Sequence, residues 1–278
     1  MLGHPSGPGA FLIAGREGHS ALRLKPTNPT FDAIVNPVIT KNTPDPGDVA
    51  VLVSSVSDLQ PLKRALAAGS QVEERKLFMG HHYLGTWGKT RASLVGPVMG
   101  APYAVALLDT LVAWGVHKIL FLGWCGSISP RVDIGDIIVP AQAFIDEGTS
   151  GHYGPAREVA RCPQGNLPTR LITALEQSGR SCQRGTVWTT DAIYRETEQQ
   201  VRRFQEKGAL AVEMEVSALF SAAQFRRVEI GCVLVTSDRL HDLAWQPGFR
   251  DRRFREGREA AVAAILQVLS NQQDSRDG

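Results

Sequence analysis

Two carboxylates stand inside an otherwise almost wholly apolar run, Ala209-Leu-Ala-Val-Glu-Met-Glu-Val-Ser-Ala-Leu-Phe220. Taking an ionised carboxylate out of water is costly unless it is paired or hydrogen-bonded. Glu213 and Glu215 therefore read as a site that holds something polar, such as the hydroxyls of a sugar. Met214 between them suits an apolar sugar face, although a methionine there also reads as plain core. The bland alternative is one Glu capping a helix start while the other faces solvent. A third carboxylate, Asp238, follows the uncharged run Gly231-Cys-Val-Leu-Val-Thr-Ser237. An Asp at such a strand exit is either an acid whose partial burial lets it keep a proton, or the cap of a turn.

These groups must be positioned by the elements around them. From Asp48 onward, short apolar runs alternate with helical patterns. The expected strands are Val49–Ser54, Arg91–Gly96, Ile119–Gly123, Asp136–Pro140, Gly185–Thr189 and Gly231–Thr236. The expected helices are Leu59–Ala68, Ala101–Trp114, Leu167–Ser178, Glu196–Lys207, Glu213–Phe225 and Phe254–Leu269. This alternation predicts a three-layer α/β/α domain with a mainly parallel, mixed central sheet. Ligands of such sheets gather at the carboxyl ends of the strands. That rule singles out the loops Gly96–Gly100, Gly123-Trp-Cys-Gly126, Thr189–Tyr194 and Thr236–Arg239. Residues 1–47, rich in Gly and Pro, form an N-terminal extension that cannot build a core alone, and 48–278 form the catalytic domain.

Composition narrows the function. A hydrophobic content of 43% and a charged content of 21% are those of an ordinary soluble globular protein. A formal charge of +2 gives no long-range reason to bind nucleic acid or a membrane. The four cysteines have no CxxC spacing and no clustered His, so neither a disulfide framework nor a zinc site is expected. With no apolar run long enough to span a bilayer and no signal-peptide order at the N-terminus, the cytoplasm is the expected compartment.

Taken in order, several segments resemble the purine-nucleoside/uridine phosphorylase superfamily, which also contains methylthioadenosine and adenosylhomocysteine nucleosidases. They are Val98-Met-Gly-Ala-Pro102, Lys118-Ile-Leu-Phe-Leu-Gly-Trp-Cys-Gly126, Ile134-Gly-Asp-Ile-Ile-Val-Pro140, Thr190-Asp-Ala-Ile-Tyr194, Ala211-Val-Glu-Met-Glu-Val216 and Val235-Thr-Ser-Asp238. The resemblance covers about residues 48–270. It implies cleavage of a nucleoside N-glycosidic bond through an oxocarbenium-like transition state, with phosphate or water as nucleophile. Glu215 would accept hydrogen bonds from the ribose hydroxyls, Met214 would pack on the sugar, and Glu213 would add a polar contact or orient its neighbour. Asp238 would donate a proton or hydrogen bond to N7 of a departing purine, supported by an Arg such as Arg250, Arg252 or Arg253. Gly123, Trp124, Cys125 and Gly126 would form the nucleophile or phosphate loop. Thr190, Asp191, Ile193 and Tyr194 would line the base, with Tyr194, Trp188 or Trp124 as the stacking ring. Arg195 reads as a surface partner of Glu196 or Glu198. The resemblance implies no metal and no organic cofactor, with inorganic phosphate as a co-substrate. It also implies a homo-oligomer, a dimer-built trimer or hexamer, in which His4 or His19 would reach a neighbouring subunit.

The chain departs from the phosphorylase pattern on the phosphate side. Phe121 stands where an Arg is usual, Trp124 stands for a Ser or Thr, and Ser54-Ser-Val-Ser-Asp-Leu59 replaces a Gly-Asp-Pro-x-x-Arg motif. A phosphate dianion needs several charge-assisted donors, so these losses weaken its site. Lys63, Arg64, Arg75, Lys76, His81 and His82 are the cations that could compensate. Water is the alternative nucleophile, with Asp58 either activating it or capping the helix that begins at Leu59. A nucleoside-binding protein without catalysis is a third reading, against which Asp238 counts because binding alone needs no acid. A dinucleotide-binding oxidoreductase is excluded by the absence of GxGxxG after the first strand.

Overall fold

Short runs two to eleven residues long, the central ones rich in Val, Leu and Ile, become the strands, and the segments between them become helices, in a computed structural model that describes residues 33–69, 71–88 and 90–271. The longer strands and helices, in chain order, are β1 (Val49–Val53), α1 (Val56–Gly69), β2 (Glu73–Leu77), β3 (Gly80–Trp87), β4 (Thr90–Gly96), α2 (Ala101–Trp114), β5 (Lys118–Ser127) and β6 (Ile137–Asp146). There follow β7 (Val159–Arg161), α3 (Leu167–Gln177), β8 (Gln183–Thr190), α4 (Glu198–Glu206), β9 (Ala209–Glu213), α5 (Val216–Arg226), β10 (Glu229–Arg239), β11 (Gln246–Pro247) and α6 (Arg252–Ser270). No helix among the described residues is long and apolar enough to cross a membrane.

Alternation along the strands sends side chains to two faces. Ala50, Leu52, Ile119 and Phe121 pack with α2 and α5, whereas Val49, Val51, Val53, Leu120 and Leu122 pack with α1, α3 and α6. Helices thus cover both faces of the sheet, which gives the three layers. A buried pair ties α2 to α5: Arg226 donates through Nε to Asp109 Oδ1 at 2.7 Å and through Nη2 to Oδ2 at 3.1 Å.

The strand order is β11-β10-β6-β8-β9-β5-β1-β4-β3-β2, with β7 on β6 and a further pairing of β10 with β5. That further pairing closes β5, β10, β6, β8 and β9 into a ring, and β1, β4, β3 and β2 extend from it as an open wing. Parallel pairings join β1 to β4 and β5, β5 to β10, β6 to β8, and β8 to β9. The remaining contacts are antiparallel, including β5 with β9 and β6 with β10.

Three expectations change in detail, and one is that Thr236–Arg239 is no loop but the last four residues of β10. Gly123–Gly126 is not a loop, because β5 runs on through Ser127, held by β10 along its length and by β9 at its end. The Glu-Met-Glu stretch does not open a helix. Ala209–Glu213 is a strand between β8 and β5, and α5 starts only at Val216.

The part of the N-terminal extension that is described, residues 33–47, is fastened to the body by its backbone oxygens. Trp114 Nε1 donates to Val38 O at 3.2 Å, Arg75 Nη1 to Asn42 O at 3.0 Å, and Arg91 Nε to Asp45 O at 2.9 Å. His4 and His19 lie outside the described residues. Beneath this strap, Ser93 Oγ donates to Pro46 O at 2.8 Å and lies 2.8 Å from His82 Nε2. With its proton committed to Pro46, the hydroxyl accepts, so Nε2 of His82 carries a proton and the ring is neutral. Burial first, and the charge of Arg75 second, push His82 down from 6.5 to about 4.

A histidine depressed in the folded state makes the unfolded state take up the proton first. Its stabilising contribution is therefore complete above pH 6.5 and is lost as pH falls towards 4. A displacement of this size corresponds to about 3 kcal/mol. We expect urea midpoints to fall between pH 7 and 4.5, and His82→Gln to flatten that fall; an equal fall in both proteins would show that another group carries it.

Candidate active site

The site lies where strands arriving from opposite directions meet at their carboxyl ends. β9 runs against β5 and overlaps it only at Val212↔Gly126 and Ala211↔Ser127. On the other side of β5, Asp238 pairs with Gly126 across a bulge after Thr236. Asp238, Gly126 and Val212 thus form one row across three strands. Two strand spacings separate its ends by roughly 10 Å, comparable with the length of a nucleoside. Glu213–Glu215 stands at one end of this row and Asp238 at the other.

The two glutamates, 4% and 5% exposed, have different tasks. Glu213 Oε2 accepts the backbone N–H of Glu215 at 2.6 Å and of Val216 at 2.8 Å. Its Oε1 accepts the hydroxyl of Thr189, which itself accepts the N–H of Ser217 at 2.9 Å. Glu213 is therefore the anchor of the α5 start, satisfying backbone donors that a helix N-terminus leaves open. Burial pushes its carboxyl up, and these donors pull it back.

Glu215 is the N-terminal flanking residue of α5, and its Oε1 accepts the backbone N–H of Gly100 at 2.6 Å. Gly100 has φ +85°, a conformation that favours glycine, so the residue type and the contact are linked. Burial first, and the adjacent Glu213 second, hold the Glu215 carboxyl above the usual carboxylate range. A positive charge arriving beside it would favour ionisation. Met214 between them is half-buried.

Asp238 is half-buried and accepts two side-chain hydrogen bonds. Ser237 Oγ donates to Oδ1 at 2.6 Å and Trp245 Nε1 to Oδ2 at 2.9 Å. Gly126 makes room for it, since a Cβ there would lie 3.1 Å from Oδ2 and 2.7 Å from a Leu240 methyl. The expected arginine support is absent from Arg252 and Arg253. Arg252 pairs with Glu256, and Arg253 with Asp251 and Asp133. Across from Asp238 sits Glu196, half-buried just before α4, with its carboxyl pushed up to about 7 by burial and by the charge of Asp238.

On the nucleophile side, alternation along β5 separates Trp124 from Cys125. Cys125 is buried in the core, 3.7 Å from Thr236 Oγ1, and burial raises its thiol, so it is an inert core residue. Trp124 Nε1 donates to Asp58 Oδ2 at 2.6 Å, and Arg258 Nε donates to Oδ1 at 2.7 Å. The Arg258 guanidinium also lies 5.3 Å from the centre of the Trp124 ring. Asp58 is thus neither a helix cap nor a free base: Ser55 accepts from Ser57 N–H at 3.1 Å at the start of α1, and both Asp58 oxygens are engaged. Four of the six cations that could compensate are engaged elsewhere. Lys63 and His81 pair with Glu74, Arg75 pairs with Glu73, and His82 is buried under the strap.

Of the residues expected at the base, Thr190 is buried and its hydroxyl accepts Ala192 N–H at 3.3 Å. Asp191 accepts Gly148 N–H at 3.0 Å, which fastens the loop instead of facing a base. Ile193 and Tyr194 are 44% and 96% exposed. Trp188 is fully buried against Phe204 and cannot stack on a ligand, whereas the half-buried Trp124 has its N–H held by Asp58. A cleft of about 910 Å3 reaches this region at Pro102 and Asp191 and continues under Val35, Val38 and Phe78. Trp245 and Glu196 are the polar contributors that sequence reasoning missed, whereas Gly100 closes the Gly96–Gly100 loop that it singled out. Positive φ at Gly100 had a trace in the Met-Gly-Ala-Pro turn, whereas nothing local marked the other two.

Known proteins resemble this chain over the same region. The family model of the phosphorylase superfamily matches residues 48–270. DeoD-type purine nucleoside phosphorylases of Bacillus cytotoxicus and Bacillus mycoides are each 30% identical over 189 residues, 66% of this chain and 80% of theirs. An uncharacterized protein of Acanthamoeba polyphaga mimivirus is 28% identical over 160 residues, 58% of this chain and 62% of that protein.

The different tasks of the glutamates predict opposite effects on stability. A carboxyl raised by folding destabilises the protein increasingly as pH rises from its unfolded value towards its folded one. Glu215→Gln should therefore raise the melting temperature at pH 7.5 while lowering turnover about 10²- to 10³-fold. Glu213→Ala, which leaves three buried donors unmet, should cost roughly 2–5 kcal/mol. Equal destabilisation by both substitutions would contradict this division.

Proposed function

Because the chain belongs to the phosphorylase superfamily, we propose that it cleaves the N-glycosidic bond of a purine-type nucleoside. The observation that supports the reading is the row Asp238–Gly126–Val212, which sets Asp238 roughly 10 Å from the strand end that leads into Glu213–Glu215. As the C1′–N9 bond breaks, its electron pair goes to the base and positive charge develops on the ribose. Glu215 accepts hydrogen bonds from the ribose 2′ and 3′ hydroxyls and lies close enough to stabilise that charge, an interaction stronger in the transition state than in the ground state. Asp238 is the acid that serves N7, so that the base departs neutral; such an acid contributes typically about 10²–10⁴-fold. The nucleophile then bonds to C1′. Met214 packs on the sugar.

Phosphate is the acceptor in this reading, in keeping with the relatives named phosphorylases. A second reading, with water as acceptor, is favoured by one observation: Arg258, the cation beside Trp124, is already committed to Asp58. We further propose that the working form is a homo-oligomer. The exposed Val38, Phe78 and Met79, at 65%, 61% and 83%, support an unfilled apolar contact on the wing.

Chromatography of products from purine and pyrimidine nucleosides, with and without phosphate, tests the proposal on protein whose mass is read by light scattering. Free purine with ribose 1-phosphate, made only in phosphate by an oligomer, is expected. Free ribose in both buffers would establish water instead, and a fully active monomer would remove the oligomer. No release of base from any purine nucleoside would overturn the function.

A further inference from the structure

We infer that Trp245 is the positioning residue of the base-side acid: its indole N–H fixes the Asp238 carboxyl, a task performed without a positive charge. The inference rests on the reading of Asp238 as that acid. The geometry behind it is a tight return of the chain. β10 pairs with β11 at Asp238↔Pro247 and Arg239↔Gln246, and Gly248 N–H donates to Ser237 O at 2.9 Å. Side chains lock the same return, with Arg239 Nε donating to Gln246 Oε1 at 2.7 Å and Gln246 Nε2 to Asp242 Oδ2 at 2.8 Å. Leu243 within it has φ +64°, unusual for a branched side chain, so the backbone accepts strain in order to turn.

The outcome of this construction is a tryptophan that stays 62% exposed while its N–H reaches Asp238 Oδ2 at 2.9 Å. Burial of the ring does not explain its place, since so large an aromatic surface is left open to solvent. The hydrogen bond and the open ring face beside the acid do. Ser237 holds the other carboxyl oxygen, so the acid is fixed at two points and its plane is set.

The kind of donor matters. A guanidinium would bring a full positive charge and favour the carboxylate form. An indole donates one hydrogen bond and has no charge to give. Arg252 and Arg253 are held by acidic partners, and the titratable group facing Asp238 is Glu196, which adds negative charge. Trp245 therefore supplies direction without bringing a positive charge to the carboxyl. In the cleavage step the proton passes from Asp238 to N7, the C1′–N9 pair goes to the base, and Trp245 keeps its own N–H throughout.

Trp245→Phe removes the N–H and keeps the ring. Its effect should be read on an ordinary purine ribonucleoside and on the 7-methylated one, whose base is already cationic and leaves without a proton. We expect kcat on the ordinary substrate to fall roughly 10- to 100-fold, with KM and turnover of the 7-methyl substrate nearly unchanged. Asp238→Asn should show the same selectivity with a larger fall. Equal losses on both substrates, or no loss, in Trp245→Phe would overturn the positioning role while Asp238→Asn remains selective. Loss of that selectivity in Asp238→Asn would overturn the acid itself, and the inference with it.

Discussion

A carboxylate at the tip of β9 collects three hydrogen bonds, from the Thr189 hydroxyl and from the N–H groups of Glu215 and Val216, and the site depends on that knot. Without it the chain between β9 and α5 would present open helix donors to a dry interior. With it, the backbone turns within two residues, and Glu215 is placed against Gly100 at the start of α2. One glutamate thus satisfies the fold, which frees the other from having to do so. Glu215 remains a buried carboxylate beside another, a costly arrangement that the proposed role in turnover would account for.

The sheet makes this local knot useful. Closing β5, β10, β6, β8 and β9 into a ring makes β9 oppose β5, so their carboxyl ends meet with only two residues of overlap. Gly126 lies at that meeting point and has no side chain to obstruct it, so Asp238 and Leu240 close over it. The residues proposed to contact ribose and base consequently come from elements far apart in sequence that the row Asp238–Gly126–Val212 brings together. On the opposite flank, Trp124, Asp58 and Arg258 form a charge-balanced corner, and Trp124 and Asp58 lie where the chain departs from the phosphorylase pattern.

Much of this was legible in the residues themselves. Charges inside an apolar run marked Glu213 and Glu215, and a lone Asp after an apolar strand marked Asp238, because dehydrating charge is costly wherever it happens. Alternating apolar runs gave the layers. Ala209–Val212 was not legible as a strand, since four apolar residues fit a helix start equally well and only pairing with β5 and β8 decides. Gly123 and Gly126 suggested a turn, yet here they clear space for Phe121, Leu234 and Leu240 within a strand. Trp245 was invisible for a further reason: its role exists only because a strained return brings it back to a residue seven positions earlier.

The central claim is that Glu215 is held for a developing positive charge on the ribose. Calorimetry with a pair of ribose mimics tests it directly, one a pyrrolidine that is cationic at neutral pH and the other its neutral tetrahydrofuran counterpart. The account predicts that the cation binds about 10²-fold tighter or more, and that this preference collapses in Glu215→Gln. Equal affinity for the two mimics in the unsubstituted protein, or a preference that survives Glu215→Gln, would contradict it.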